Sequence, residues 1–185
     1  MLVIYMKNFI CILFVTIYCF CIVPSVQASY MLPYPSAMPG NKVYRINRII
    51  DSLKNYWYIG NIAQLKYHLA LADKYLVEAK TLMAYQQYLL GKDALIRSDI
   101  HFAKLVQLFK NIQADKKDTI QFQTIIQEAT DTHILTLNVL QSNTPEDFIW
   151  SPEKTAATQI PIHELLRSSK QIRMSTRFQI EELSK

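Results

Sequence analysis

The stretch Ile62 to Leu90, IAQLKYHLALADKYLVEAKTLMAYQQYLL, decides the fold. Ile62, Leu65, Leu69, Ala72, Leu76, Ala79, Met83 and Leu90 recur at the steps that line apolar side chains along one seam of an α-helix. The run is far too long for a strand. Gly91 follows it, in the place where a helix commonly stops in the left-handed conformation. One helix cannot cover its own seam, so the flanking sequence has to supply partners.

On the C-terminal side, a helix is expected from about Lys92 to Ile112, burying Leu95, Phe102, Leu105, Phe109 and Ile112, with a polar turn from Asp115 to Asp118. Another is expected from about Thr119 to Gln141 through Phe122, Ile126, Ala129, His133, Leu137 and Leu140. Asn143-Thr144-Pro145 breaks the pattern. Phe148-Ile149-Trp150 then reads as an apolar cluster on a loop that closes the end of the bundle, and Ser151-Pro152-Glu153 as one short capped turn. A last helix runs from about Ile162 to Leu183, with Leu165, Leu166, Ile172 and Ile180 inward. On the N-terminal side, a helix from about Asn41, its N-cap, carries Val43, Ile46, Ile50, Leu53 and Trp57 as one buried face, and Gly60-Asn61 separates it from the central stretch, with Asn61 expected as the cap of the latter. The fold class expected is all-α: an antiparallel helical bundle of about four to five helices after an N-terminal signal helix.

Residues 1–28 have the form of an export signal. Lys7 is the only charge before an apolar run from Phe9 to Val23, and Val26-Gln27-Ala28 offers small residues for a cut after Ala28. Met6-Lys7-Asn8 resembles an ordinary start, so initiation at Met6 stands beside initiation at Met1. The alternative to cleavage is a signal anchor, although the apolar run is shorter than the ~20 residues that span a bilayer. Cys11, Cys19 and Cys21 all lie in this leader, so the chain after it has no disulfide or thiolate chemistry. Residues 29–40, with Pro33, Pro35 and Pro39, form an extended linker or strap, and 41–185 the helical domain. The localisation expected is extracytoplasmic, secreted or in the cell envelope.

Residues 42–117 hold thirteen Lys/Arg against six Asp/Glu, whereas 118–185 hold six against nine. The basic half is also rich in tyrosine and holds Trp57. Rings beside cations can stack on bases or sugar faces, and the candidate binding face on the first two helices is Tyr44, Arg45, Arg48, Trp57, Tyr67 and Lys74. Amphipathic tyrosines are equally at home at the rim of a helical core. The histidines, His68, His101, His133 and His163, show no helical metal spacing, and His68 and His133 read as partly buried, hydrogen-bonded imidazoles. No catalytic residue, metal site or cofactor is expected: Gly-x-Ser-x-Gly and glycine-rich phosphate loops are both missing. Paired carboxylates depend on separation in space. Asp73 with Glu78, and Glu181 with Glu182, read as surface charge, and Lys74 with Glu78 as a surface pair four residues apart.

Pro39-Gly40-Asn41-Lys42-Val43-Tyr44, Tyr56-Trp57-Tyr58-Ile59-Gly60-Asn61 and Ala70-Leu71-Ala72-Asp73-Lys74-Tyr75-Leu76-Val77-Glu78-Ala79-Lys80 carry a resemblance. From 39 to about 110 the chain resembles an uncharacterised family of exported bacterial helical domains with a Pro-Gly opening, an aromatic-basic first helix and a second helix with a Leu-x-Glu-Ala core. Phe148 to Lys154 is similar to one subgroup. The resemblance implies an exported helical domain and brings no activity or site residue with it.

The function expected is that of a non-enzymatic envelope module that binds an envelope protein or an anionic polymer through its basic aromatic face. The alternatives are an extracytoplasmic enzyme on wall glycan or peptide, with carboxylates in a groove, and a metal or stress chaperone. Nucleic acid is not expected as a partner, a membrane only through an uncleaved signal, and the oligomeric state stays open.

Overall fold

Helix formation follows the apolar periodicity closely. The computed structural model describes residues 30–35, 38–39, 42–153 and 156–184. Helix α1 spans Lys42–Trp57, α2 Asn61–Ala84, α3 Tyr88–Ala114, α4 Ile120–Asn143 and α5 Ile162–Leu183; strands β1 (Phe148–Trp150) and β2 (Thr158–Ile160) lie between α4 and α5. The chain is an all-α bundle with one small hairpin. The signal segment 1–28 and the Asn41 cap lie outside the described residues.

Helix α2 packs on α3 and α4, and α5 packs on the same two, so α3 and α4 lie across the diagonal from one another. The core is in two parts. At one end Leu76, Ala79, Leu82 and Met83 of α2 meet Ala94 and Leu95 of α3, Leu137 and Leu140 of α4, and Ile162 and Leu166 of α5. At the other, Leu65, Leu69 and Ala72 meet Phe102, Leu105, Phe109 and Ile112, then Phe122, Ile126 and Ala129, then Ile180. Read along each helix, the two clusters alternate in order, so successive helices of α2–α5 run in opposite directions. The expected seams of α3 and α4 are buried throughout.

Between the clusters lies a polar waist. The buried Asp73 of α2 accepts hydrogen bonds from the Tyr30 hydroxyl and, at 2.7 Å, from His133 of α4. Arg173 of α5, fully buried, pairs with Asp99 of α3 and donates to Ser98 Oγ at 2.8 Å. Ser98 in turn donates to the Ala72 carbonyl, while Ser169 donates to Asp99. Buried charge is tolerated only when paired and hydrogen-bonded, and these groups supply one another's partners across all four helices. The guanidinium also lies 5.3 Å over the Phe102 ring.

Several expectations are corrected. Helix α2 stops at Ala84, not at Leu90; Gln86 takes the left-handed conformation (φ 60°), its N–H bonding Met83 O and that of Gln87 bonding Leu82 O, a Schellman motif. Gly91 is an interior residue of α3 pressed on Met83, where a Cβ would fall 2.8 Å from Met83 Cγ, and Leu90 is exposed. Gly60, with φ 96°, is the N-cap of α2, and Asn61 is already helical. Phe148-Ile149-Trp150 is a strand paired antiparallel with Thr158–Ile160. Its Phe148 rests on Tyr88 beside buried Ile160, whereas Ile149 and Trp150 stay exposed. Asp73 and Glu78 are buried, not surface charge, and Lys74 pairs with Asp51 rather than Glu78. Ahead of the helices, Tyr30, Leu32 and Met38 pack against the two clusters.

The largest correction concerns α1. Val43, Ile46, Ile50, Leu53 and Trp57, expected as its buried face, are all exposed. The helix instead docks by its polar side: the Tyr44 hydroxyl donates to Glu78 at 2.7 Å and accepts from Arg97 at 3.0 Å, and Asp51 takes Lys74 through its carboxylate and the Tyr67 hydroxyl through its carbonyl. One buried acceptor on the bundle side, Glu78, the donors Arg97, Lys74 and Tyr67 beside it, and two polar residues two turns apart on one face of α1 determine which side turns inward, because leaving Glu78 unpaired at 2 % exposure would be more expensive than leaving aliphatic side chains wet.

Candidate functional site

The turn at Tyr85–Gln86 folds α3 back along α2, so residues nearly equidistant from it face each other. His68 and His101 are such a pair. Their Nδ1 atoms are 2.8 Å apart and their rings stack at 5.1 Å. They belong to a longer aromatic row: Tyr58 stacks on Tyr67 at 4.9 Å, Tyr67 tilts against His68 at 5.4 Å, and Tyr75 stacks on His101 at 5.6 Å. Tyr67, Leu71 and Tyr75 form a small apolar cluster of their own on the side of α2 that the main core does not use. Helix α1 lies over this row.

The space left between α1 and the α2–α3 hairpin is an open cleft of about 310 Å³, lined by Asp51, Ser52, Tyr56, Tyr67, His68, Leu71, Tyr75, His101 and Lys104. Burial and the nearby Lys104 ammonium push His68 down to about 4; burial, His68 and Lys104 do the same for His101. Both imidazoles are therefore neutral at pH 7. One donates its Nδ1–H to the other, leaving each ring a free Nε2, a donor on one and an acceptor on the other. Burial and the neighbouring Asp51 raise the Tyr67 hydroxyl, and burial raises Tyr75 to about 12, so both stay protonated. The cleft thus offers ring faces, neutral imidazole edges, and one cation at its rim. Asp51, the one carboxylate lining it among the described residues, is held by Lys74.

Two side chains paired at 2.8 Å fit a hydrogen bond; two nitrogen ligands of one tetrahedral metal would stand farther apart, about 3.3 Å for bonds of ~2.0 Å. Among the described residues no three His, Cys, Asp or Glu side chains converge as a metal cage.

The six residues expected as a binding face separate into two sets. Tyr44, Tyr67 and Lys74 are engaged inside the fold, fastening α1 to α2. Arg45, Arg48 and Trp57 stand exposed on α1. Only Tyr67 of the six lines the cleft. The sequence reading missed the His68–His101 pair because it ran the second helix to Leu90, and a turn at Gly91 would have set His68 opposite a residue well beyond His101. With the turn at Gln86 the pairing is legible.

Comparison with protein-family models, curated proteins and solved structures gives no match to this chain.

Proposed function

We propose that this protein is an exported, non-enzymatic binding module of the cell envelope that holds a unit of an anionic, sugar-containing polymer in the cleft between α1 and the α2–α3 hairpin. The observation that carries this reading is the continuous row Tyr58, Tyr67, His68, His101 and Tyr75 beside Lys104. Ring faces take the apolar side of a sugar, neutral imidazoles exchange hydrogen bonds with its hydroxyls, and a rim cation meets a phosphate or carboxylate. The surrounding chain favours the same sign, since residues 42–117 are strongly basic. The glycan-cleaving alternative needs two carboxylates about the reacting bond, and Asp51, engaged by Lys74, is the one in the cleft.

The test is a titration with a soluble anionic wall-polysaccharide fragment, followed by the imidazole ¹⁵N resonances of His68 and His101. Saturable shifts that weaken as salt rises, and that vanish in Tyr75→Ala, support the reading. Unmoved imidazoles at millimolar fragment would remove it.

A further inference from the structure

Helix α1 turns its apolar side to solvent. At 100° per residue, Ile46, Ile49, Ile50, Leu53 and Trp57 fall in one arc of about 100°, and they are 56, 61, 40, 52 and 77 % exposed. Isolated exposed aliphatics are ordinary; a contiguous stripe along a whole helix face marks an interaction surface. Its charge pattern points to the occupant. Arg45 borders one edge of the stripe and Lys54 the other, Arg48 lies farther round the helix toward Tyr75 of the cleft, and Asp51, the sole acid in α1, is turned inward and paired with Lys74. The outward half of the helix is therefore apolar with a purely cationic rim.

We propose that α1 docks the domain on an anionic lipid bilayer, lying in the plane of the interface with the isoleucine–leucine stripe among the acyl chains and Arg45 and Lys54 at the headgroups. An apolar face flanked by Lys/Arg, with an aromatic residue at headgroup depth, is the pattern that holds helices at that depth. Sixteen residues make a helix about 24 Å long, and among the described residues no helix is long and apolar enough to cross a membrane. The mode is lying on the surface rather than spanning. A second copy is a poorer occupant, because isologous pairing of two such stripes would bring like-charged rims together. None of the five stripe residues lines the cleft, so the inference stands independently of the proposed ligand.

The experiment uses the full chain carrying Trp150→Phe, which leaves Trp57 as the one tryptophan. Its emission is followed as vesicles of phosphatidylcholine, with or without phosphatidylglycerol, are added. The reporter matters because an uncleaved leader could hold the chain on any vesicle without moving Trp57. A blue shift and protection from iodide with the anionic vesicles, both weaker with neutral ones, are expected. Ile49→Glu with Leu53→Glu, both at exposed positions, should lower partitioning at least tenfold. Arg45→Gln with Lys54→Gln should lower it roughly thirtyfold, from the ~1 kcal/mol that each basic residue contributes near an anionic surface. Trp57 emission unmoved by anionic lipid would overturn the proposal. So would a shift that depends on protein concentration without lipid, which would assign the stripe to a second copy, or one of equal size with neutral vesicles, which would remove the anionic requirement.

Discussion

Arg173 brings a guanidinium into a place it can occupy only because Asp99, Ser98, Ser169 and the Phe102 ring are all there to receive it. Taking away one partner of a buried pair leaves the other desolvated and uncompensated, which typically costs about 3–5 kcal/mol. Arg173→Met should therefore lower unfolding free energy by about 3 kcal/mol, and Asp99→Asn in that background should cost far less than it does alone. Urea denaturation of the two single variants and the double gives the coupling directly. The histidines supply a second test at this scale. His68 and His101 have folded values of about 4, below the ordinary 6.5, and burial also lowers His133. Between pH 6.5 and 4 the unfolded chain takes up protons that the folded one refuses, so their contribution to stability is complete above about 6.5 and is lost as pH falls toward 4. With the water at the cleft mouth allowed for, the loss for the pair is roughly 1–3 kcal/mol. His68→Gln with His101→Gln should flatten the stability profile over that window, leaving the slope that His133 contributes, as denaturant midpoints across a pH series would reveal. The pairings of Arg173, Asp73 and Glu78 were illegible because a charge on a helix face is solvated by default, and the groups that reverse that default are dozens of residues away in the chain.

At the scale of the element, the two turns that follow α2 and α3 share one device. Gln86 and Lys116 are both left-handed, at φ 60° and 54°, and each closes a Schellman motif: Lys116 N–H bonds Gln113 O at 2.8 Å, and Lys117 N–H bonds Ile112 O at 3.3 Å. A side chain in this conformation is strained by about 1–2 kcal/mol relative to glycine, part of which glycine gives back through the greater freedom of its unfolded chain. Gln86→Gly and Lys116→Gly should each raise stability by about 0.5–1 kcal/mol, measured as a shift in urea midpoint at constant m-value. The true glycine that follows, Gly91, behaves oppositely: its Cβ would collide with Met83, so Gly91→Ala should destabilise despite alanine's higher helix propensity. Residue type alone pointed to Gly91 as the helix stop because glycine is the usual left-handed residue; the backbone chose Gln86 because close packing of α3 on Met83 needed the glycine more. Helix α1 teaches a related lesson. The spacing of Val43, Ile46, Ile50 and Leu53 correctly identifies a helix and its apolar side, but periodicity cannot say what covers that side. The anchors of α1 are Tyr44 and Asp51, polar residues whose partners, Glu78 and Lys74, were read as pairing with each other.

Across the whole molecule, the sequence made the four core helices and their seams legible, because Phe102, Leu105, Phe109, Ile126 and Leu137 have no plausible place but the interior. It did not reveal that this interior is divided. Two apolar clusters separated by a charged waist could in principle melt one after the other. Each of α2–α5, however, runs unbroken through both clusters. Opening one end would end four helices in mid-run and leave their terminal carbonyl or amide groups without partners. It would also open one side of the Asp73–His133 and Arg173–Asp99 pairs to water while the other side stayed fixed. Both penalties fall on the half-open state alone, so the waist joins the two clusters into one cooperative unit even though polar groups there add little net stability. The expected outcome is a single calorimetric transition whose enthalpy equals its van't Hoff value. Leu76→Ala in one cluster and Ile112→Val in the other, both fully buried positions, should lower that same transition by about 2–5 and 0.5–1.5 kcal/mol respectively. Their effects should add to within about 0.5 kcal/mol because they share no neighbours. A shoulder that moves with Leu76→Ala and not with Ile112→Val would mean that the waist separates the two ends instead of joining them.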